Sequence, residues 1–360
     1  MIQDARDFNW IDQTMLDARP ELFNCKNCVL NLDTHEILTH DPDLLLSKVA
    51  NVNYDEDAHC DLFNGFMREI MLNDEEKIRY IRDILGYALT GTNTQEECYM
   101  FYGSTTRNGK STLLDTISYL FGDYSMNIQP ETLAQQKERN SRSASGDIAR
   151  LDGCRLLHMS EPPKRMKFDV ALLKTLLGRD KITARNLYER EFEFVPVFKL
   201  FINTNFLPVV TDDTLFSSGR VKVVTFDKHF SQEEQDKTLK EKLKAENELS
   251  GVLNWLLEGL EEYQSNNRTL TVPKAVKDAT EDYRTRSDKI QNFMNDCLVH
   301  KEKGVVTAKA VYEVYVEWCR DNGFGTENKS NFLDELRTKG LLHETGTIDG
   351  KTVHNVLKGY

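Results

Sequence analysis

No apolar run in the 360 residues is long enough to cross a bilayer, and residues 1–7 lack the basic-then-apolar pattern of a secretory leader. A membrane-spanning class is therefore not expected, and the reading is of a cytoplasmic protein. A disulfide framework is missing as well. The seven cysteines, at 25, 28, 60, 98, 154, 297 and 319, are odd in number and scattered, which suits reduced thiols. No internal repeat is evident. Positive charge is also in deficit: the net charge is −12, which over the whole chain argues against a nucleic-acid partner.

What is present is ordinary soluble-protein composition, 39% hydrophobic and 29% charged, in a chain long enough for two or three domains. The charge is unevenly spread. Residues 1–102 carry 8 Lys/Arg against 20 Asp/Glu, residues 103–226 carry 18 against 14, and residues 227–360 carry 20 against 24. Only the middle third is net positive.

That third opens with an apolar run at 98–102, which predicts a buried strand. A loop of Gly103, Ser104, Thr105, Thr106, Arg107, Asn108 and Gly109 follows, then Lys110, Ser111 and Thr112 at the start of a helix. Strand, glycine-bearing loop and Gly-Lys-Ser helix start together suit a nucleoside triphosphate. Backbone N–H groups and a helix N-terminus face the phosphates, Lys110 reaches the β and γ oxygens, and the Ser111 hydroxyl ligates Mg²⁺. The usual spacing would place the first glycine at 104; here Ser104 stands there and the glycine is Gly103.

A phosphate loop also needs a carboxylate near the metal and the attacking water. The strand-like run 155–161 ends in Ser160 and Glu161, making Glu161 the candidate; the bland alternative is a solvated strand-end glutamate. His158 reads as a packed core histidine. A third run, 197–203, leads into Thr204, Asn205 and Pro208, and Asn205 is placed to hydrogen-bond a γ-phosphate and water. Thr-Asn alone would be ordinary turn chemistry.

Organisation follows from periodicity. Residues 61–71 and 76–89 have helical spacing, and residues 1–95 read as a helical domain. Residues 96–230 alternate strand and helix as a P-loop core does. The polar, basic stretch 135–146 predicts a mobile loop. Residues 231–288 return to helix as an extension of the core. Residues 289–360 read as three helices, with a turn at 322–325, and a hairpin near 347–353, the outline of a winged helix. Tyr312, Tyr315 and Trp318 predict one buried helix face, and Lys329, Arg337 and Lys339, interspersed with Glu327, Asp334 and Glu335, are candidate groups for DNA or a protein partner. Cys25 and Cys28 with His59 and Cys60 have zinc-like composition, but zinc is not favoured.

The ordered motifs, with residues 172–188, 192–194 and 199–208, resemble the superfamily-three helicases of phage and plasmid primase proteins, related to the poxvirus-type helicase-primase. Residues 24–95 resemble the helical domain that precedes the motor in that family, and residues 239–260 the segment that follows it. The resemblance implies an α/β P-loop (AAA+-like) ATPase core between an N-terminal helical domain and a C-terminal winged-helix-like domain. It implies ATP and Mg²⁺, a homo-oligomeric ring, expected to be a hexamer, and 3′-to-5′ movement on single-stranded DNA during replication of a phage, mobile element or large virus, with a bacterial host expected. Forked or origin duplex, and a separate primase or initiator, are the further partners expected. Carried over by position, Lys110 and Ser111 bind phosphate and Mg²⁺, Glu161 activates water and Asn205 senses the γ-phosphate. Arg220 is left as the finger acting across a subunit interface, and Lys181 and Arg185 are candidates for DNA contact in the pore. Competing readings are a replication initiator whose ATP site controls assembly, and a P-loop kinase or metabolic ATPase.

Overall fold

The computed structural model describes residues 15–135, 146–210 and 212–360; of the stretch expected to be a mobile loop, residues 136–145 lie outside them. The chain divides into two compact units, Met1–Tyr283 and Arg284–Tyr360.

The first unit is organised around a five-stranded parallel sheet. In chain order its strands are β4 (Cys98–Tyr102), β5 (Ser125–Asn127), β6 (Leu156–Ser160), β9 (Lys199–Thr204) and β10 (Val221–Thr225), and in space they run β10-β4-β9-β6-β5. Parallel strands are covered on both faces, which is why β4 and β9 read as continuous runs without alternation. β10 is different: Lys222 interrupts its valines, and it lies at the sheet edge beside β4.

Register decides which residues meet. Tyr102 pairs with Thr204, and Ser160 with Asn203, so the carboxyl ends of β4, β6 and β9 share one edge. Loops leaving that edge hold ligands in open α/β sheets.

The segment 1–95, expected to be helical, is only partly so. Helices α1 (Asp61–Ile70) and α2 (Glu75–Ala88) are present, the second capped by the Asp74 side chain accepting from the Lys77 N–H at 3.0 Å. Ahead of them lies an antiparallel sheet of β1 (Leu22–Asn24), β2 (Val29–Asn31) and β3 (Ile37–Leu38). Strands of two or three residues are too short to display an alternating pattern. Cys25 and Cys28 flank the β1–β2 turn, the Cys25 N–H donating to the Cys28 carbonyl at 2.9 Å.

The helix that opens from the phosphate-loop motif is α3 (Lys110–Phe121). Strands β7 (Ile182–Ala184) and β8 (Phe192–Phe194) form a separate antiparallel hairpin, preceded by α4 (Val170–Leu177), which Asp169 caps. A 20-residue helix, α5 (Glu246–Ser265), returns to the N-terminal helices. Trp255 meets Phe63 edge-on at 5.1 Å, Tyr263 meets Tyr87 at 4.8 Å, and Arg82 pairs with Glu258 at 3.2 Å. The segments before and after the sheet thus share one apolar core with the buried face of α3.

The second unit contains α6 (Lys289–Cys297), β11 (Val305–Thr307), α7 (Ala308–Asp321), α8 (Lys329–Thr338), β12 (Leu342–Ile348) and β13 (Lys351–Lys358), its sheet ordered β11-β13-β12. Side chains of Asp288, Thr307 and Asn328 cap its helices. Tyr315 and Trp318 are buried, Tyr315 stacking on Phe332 at 4.6 Å and Trp318 meeting Phe293 at 5.8 Å, so this helix face is core as its spacing predicts. Asp349 and Gly350 both have positive φ, as a two-residue type I′ turn requires, and they close the β12–β13 hairpin.

Candidate nucleotide site

The loop from Gly103 to Gly109 joins β4 to α3. No side chain caps α3, whose N-cap is Gly109 at φ 83°. Its first N–H groups are therefore free of the side-chain competitor found at the starts of α2, α4, α6, α7 and α8, and they face the same edge as the ends of β6 and β9. A Cβ on Gly109 would run into Ile70 of α1, and one on Gly103 would overlap the Asn108 amide and lie 2.9 Å from the Lys110 ammonium. The displaced glycine of the motif thus stands where no side chain fits, against the residues that set the cradle.

Lys110 is 3% exposed. Its ammonium donates to the Asn108 Oδ1 and to the Asn205 Oδ1, each at 2.8 Å. Both acceptors are neutral, and among the described residues no carboxylate lies within ion-pair distance of it. Burial accordingly lowers Lys110 to a pKa of about 8, opposed by the negative charge of Glu161. An under-neutralised lysine held by two movable side chains is set up to receive an anion.

Glu161 leaves the end of β6 exposed, in a left-handed conformation at φ 52°, its N–H donating to the Asn203 carbonyl at 2.9 Å. Non-glycine residues adopt this conformation at a cost and are enriched at functional sites. Sequence reasoning missed Asn203. Its Nδ2 donates to the Ser111 Oγ at 2.9 Å, leaving a second lone pair on that hydroxyl. The signal for it was an amide following the apolar Leu200, Phe201 and Ile202 in the strand that leads to Asn205. Ser111 and Glu161 therefore offer oxygen donors suited to Mg²⁺, which would supply charge neutralisation across the phosphates.

Four positions lie apart from this cluster or are differently engaged. His158, mid-strand in β6, lies within 3.2 Å of the Ser118 Oγ, and burial lowers its pKa. Arg220 precedes β10 at the opposite end of the sheet, where it donates to Glu96 at 2.5 Å and to the Lys174 carbonyl at 3.2 Å; it does not reach its own chain's phosphate loop. Lys181 and Arg185 lie on the β7–β8 hairpin, paired with Glu193 at 3.5 Å and Glu191 at 4.0 Å.

A parallel α/β sheet with a glycine-bearing loop feeding a helix defines the nucleotide-binding class. Comparison with known proteins narrows it. Residues 2–72 match the model described as D5 N terminal like, residues 285–342 match Poxvirus D5 protein-like, and residues 101–220 match a family of unknown function. The chain is 30% identical over 333 residues, 86% of its length, to the provisionally named helicase L207/L206 of Acanthamoeba polyphaga mimivirus. It is 25% identical over 370 residues, 92% of its length, to the provisionally named helicase 121R of Invertebrate iridescent virus 3. It spans 34% and 38% of those relatives' lengths. Among solved structures, the apo C-terminal region of NrS-1 (305–718) is similar in fold, with a TM-score of 0.57, 14% identity, and coverage of 95% of this chain and 83% of that one. These matches support the superfamily-three, poxvirus D5-type helicase-primase family for this chain.

Proposed function

We propose that the chain is the ATP-hydrolysing motor of a DNA helicase, working as a ring on single-stranded DNA during replication of a large virus or related element. The observation that carries the reading is the buried Lys110 ammonium, held by Asn108 and Asn205 at the uncapped start of α3. Strand order β10-β4-β9-β6-β5 fits an AAA+-like core, since it brings the ends of β4, β6 and β9 together. The names of the viral relatives favour a helicase over a kinase, and the 3′-to-5′ polarity rests on the family resemblance.

In this reading the loop N–H groups and Lys110 would hold the triphosphate, Ser111 and Glu161 would supply oxygen donors to Mg²⁺, and Asn205 would exchange Lys110 for the γ-phosphate. Glu161 orients the water. Arg220, lacking any route to its own site, acts on a neighbouring subunit's nucleotide after leaving Glu96. The β7–β8 hairpin, with Lys181 and Arg185, faces DNA. The second unit is a winged helix that assists loading on forked or origin DNA. Its basic residues are engaged with acids: Arg337 with Asp334 at 2.5 Å, and Lys339 with Asp288. Those pairs leave room for the alternative of an initiator or partner-recruiting role.

The test is ATP hydrolysis with and without single-stranded DNA, followed by displacement of a strand from a forked duplex. Stimulated hydrolysis with displacement supports the motor. Hydrolysis without displacement favours the initiator, and hydrolysis indifferent to DNA favours a metabolic ATPase.

A further inference from the structure

The segment after β10 runs back over the phosphate loop. His229 Nδ1 lies 2.8 Å from the Thr106 carbonyl, and the Phe230 N–H donates to the next carbonyl, Arg107, at 2.8 Å. Because the Thr106 atom it meets is a carbonyl oxygen, which can only accept, His229 Nδ1 carries the proton and donates. The segment is braced on both sides. Before it, Asp227 meets the Lys77 ammonium of α2 at 3.4 Å; after it, Glu234 pairs with Lys228 at 2.7 Å and accepts the Ser231 N–H at 2.7 Å. Phe230 packs on the main apolar core.

These two bonds bear on the phosphate site through the geometry of the peptide unit. In a trans peptide the N–H points opposite to the C=O it follows. Fixing the Thr106 and Arg107 carbonyls toward the segment therefore turns the Arg107 and Asn108 N–H groups away from it. Arg107 has φ 57°, the left-handed conformation that lets successive N–H groups converge on one concavity. Ser104 to Arg107 are exposed, and while the Asn108 amide holds the Thr105 carbonyl at 2.7 Å, the next two carbonyls would without these bonds be free to turn inward and meet an anion with the wrong sign.

We infer that His229 is a positioning residue for nucleotide binding: by holding the Thr106 carbonyl outward it presents the Arg107 and Asn108 N–H groups to the triphosphate. The inference rests on the ATP reading above. It assigns a role to an exposed histidine that touches no phosphate, and it makes the phosphate loop part of a clamp whose other jaw follows β10.

The full chain carrying His229→Ala, His229→Asn or His229→Gln is tested by calorimetric titration with ATP and by steady-state hydrolysis, with Lys110→Ala as reference. Loss of one bond to the loop lowers the population of the binding-competent conformation, so His229→Ala raises the ATP dissociation constant about three- to tenfold. Once saturated, that variant keeps kcat within about twofold, because its loop is then held by the ligand. Asparagine places an amide donor where Nδ1 stands and restores binding; glutamine reaches past and does not. If His229→Ala binds ATP as the parent does, or if asparagine rescues no better than glutamine, the clamp is overturned while weakened binding by Lys110→Ala leaves the ATP site standing. If Lys110→Ala also binds ATP normally, the site and the clamp fall together.

Discussion

The two ends of the same parallel sheet both bury cations, and they hold them in opposite ways. At the amino ends, Arg155 is 4% exposed and donates to the carbonyls of Leu89 at 2.5 Å and Leu22 at 2.7 Å, with its guanidinium 4.6 Å from the Tyr124 ring. Lys199, 1% exposed, donates to the Thr90 carbonyl at 2.6 Å and lies 4.4 Å from the Tyr87 ring. At the carboxyl end Lys110 meets, among the described residues, two side-chain amides. Backbone carbonyls of packed segments cannot leave, whereas amides on rotatable side chains can. Arg155 and Lys199 therefore tie the N-terminal segment to the sheet, whereas Lys110 is held by side chains alone, as the proposed role in binding ATP needs.

The comparison breaks most readily by exchanging the two kinds of cation. Lys110→Ala is expected to reduce ATP hydrolysis to background while leaving the melting temperature at or above that of the parent. The sign follows from linkage. A lysine lowered to about 8 from an unfolded value near 10.4 costs stability while it is charged, and that cost is recovered only as pH rises through about 8. Arg155→Met should do the reverse and lower stability by about 3 kcal/mol, since two buried carbonyls lose their donor at ~1–3 kcal/mol each. Thermal melts beside hydrolysis assays separate the two; a Lys110 variant that unfolds, or an Arg155 variant that melts with the parent, would erase the distinction.

Arg220 sharpens it further. Its pair with Glu96 is only about one-fifth exposed on the arginine side, but Glu96 also pairs with Arg179 at 3.2 Å and so keeps a cation, and loss of Arg220 should lower stability modestly. Hydrolysis should nevertheless fall by about 10³ if the guanidinium serves a neighbouring subunit. Mixing Arg220→Ala with Lys110→Ala subunits then restores part of the activity, while full activity of Arg220→Ala alone removes the arginine from catalysis.

A smaller effect is expected from pH. Below about 8 Lys110 is already charged and ATP binding takes up no proton there. Above it the ammonium must be regained, so affinity should fall by up to about tenfold per pH unit. Titration in buffers of different ionisation enthalpy detects the uptake; a flat profile between pH 7 and 9 would place Lys110 away from the phosphates. Smaller still is the hairpin. Each lost Lys181 or Arg185 contact should flatten the log–log salt dependence of single-strand affinity by roughly 0.7, and Glu193→Gln should steepen it. Unchanged slopes return both residues to a solvated hairpin face.

Much of this architecture was legible because the parallel strands are long apolar runs, and because a glycine-bearing loop before Gly-Lys-Ser has few other uses. Strand starts were less so: the expected runs from 155 and 197 begin pairing at Leu156 and Lys199, the charged Arg155 lying outside its strand and Lys199 within its own. β10 was overlooked because a run of five residues with a lysine in second place resembles a solvated stretch. The N-terminal sheet escaped because its strands are shorter than any period they could show. Asn203 was hidden by its neighbour: Asn205 drew the functional reading, while the buried amide two residues earlier holds Ser111. The clamp at His229 had no sequence signal, since it depends on a backbone carbonyl of Thr106 brought near by the pairing of β10 with β4.

The central claim, that the carboxyl edge of this sheet binds and hydrolyses ATP, is tested most directly by Glu161→Gln in the full chain, measuring ATP binding and turnover on the same sample with single-stranded DNA. The account predicts ATP binding within about threefold of the parent and turnover reduced by at least about 10², because the glutamate orients water and is not needed to hold the triphosphate. Turnover above a tenth of the parent's, with binding unchanged, would contradict it.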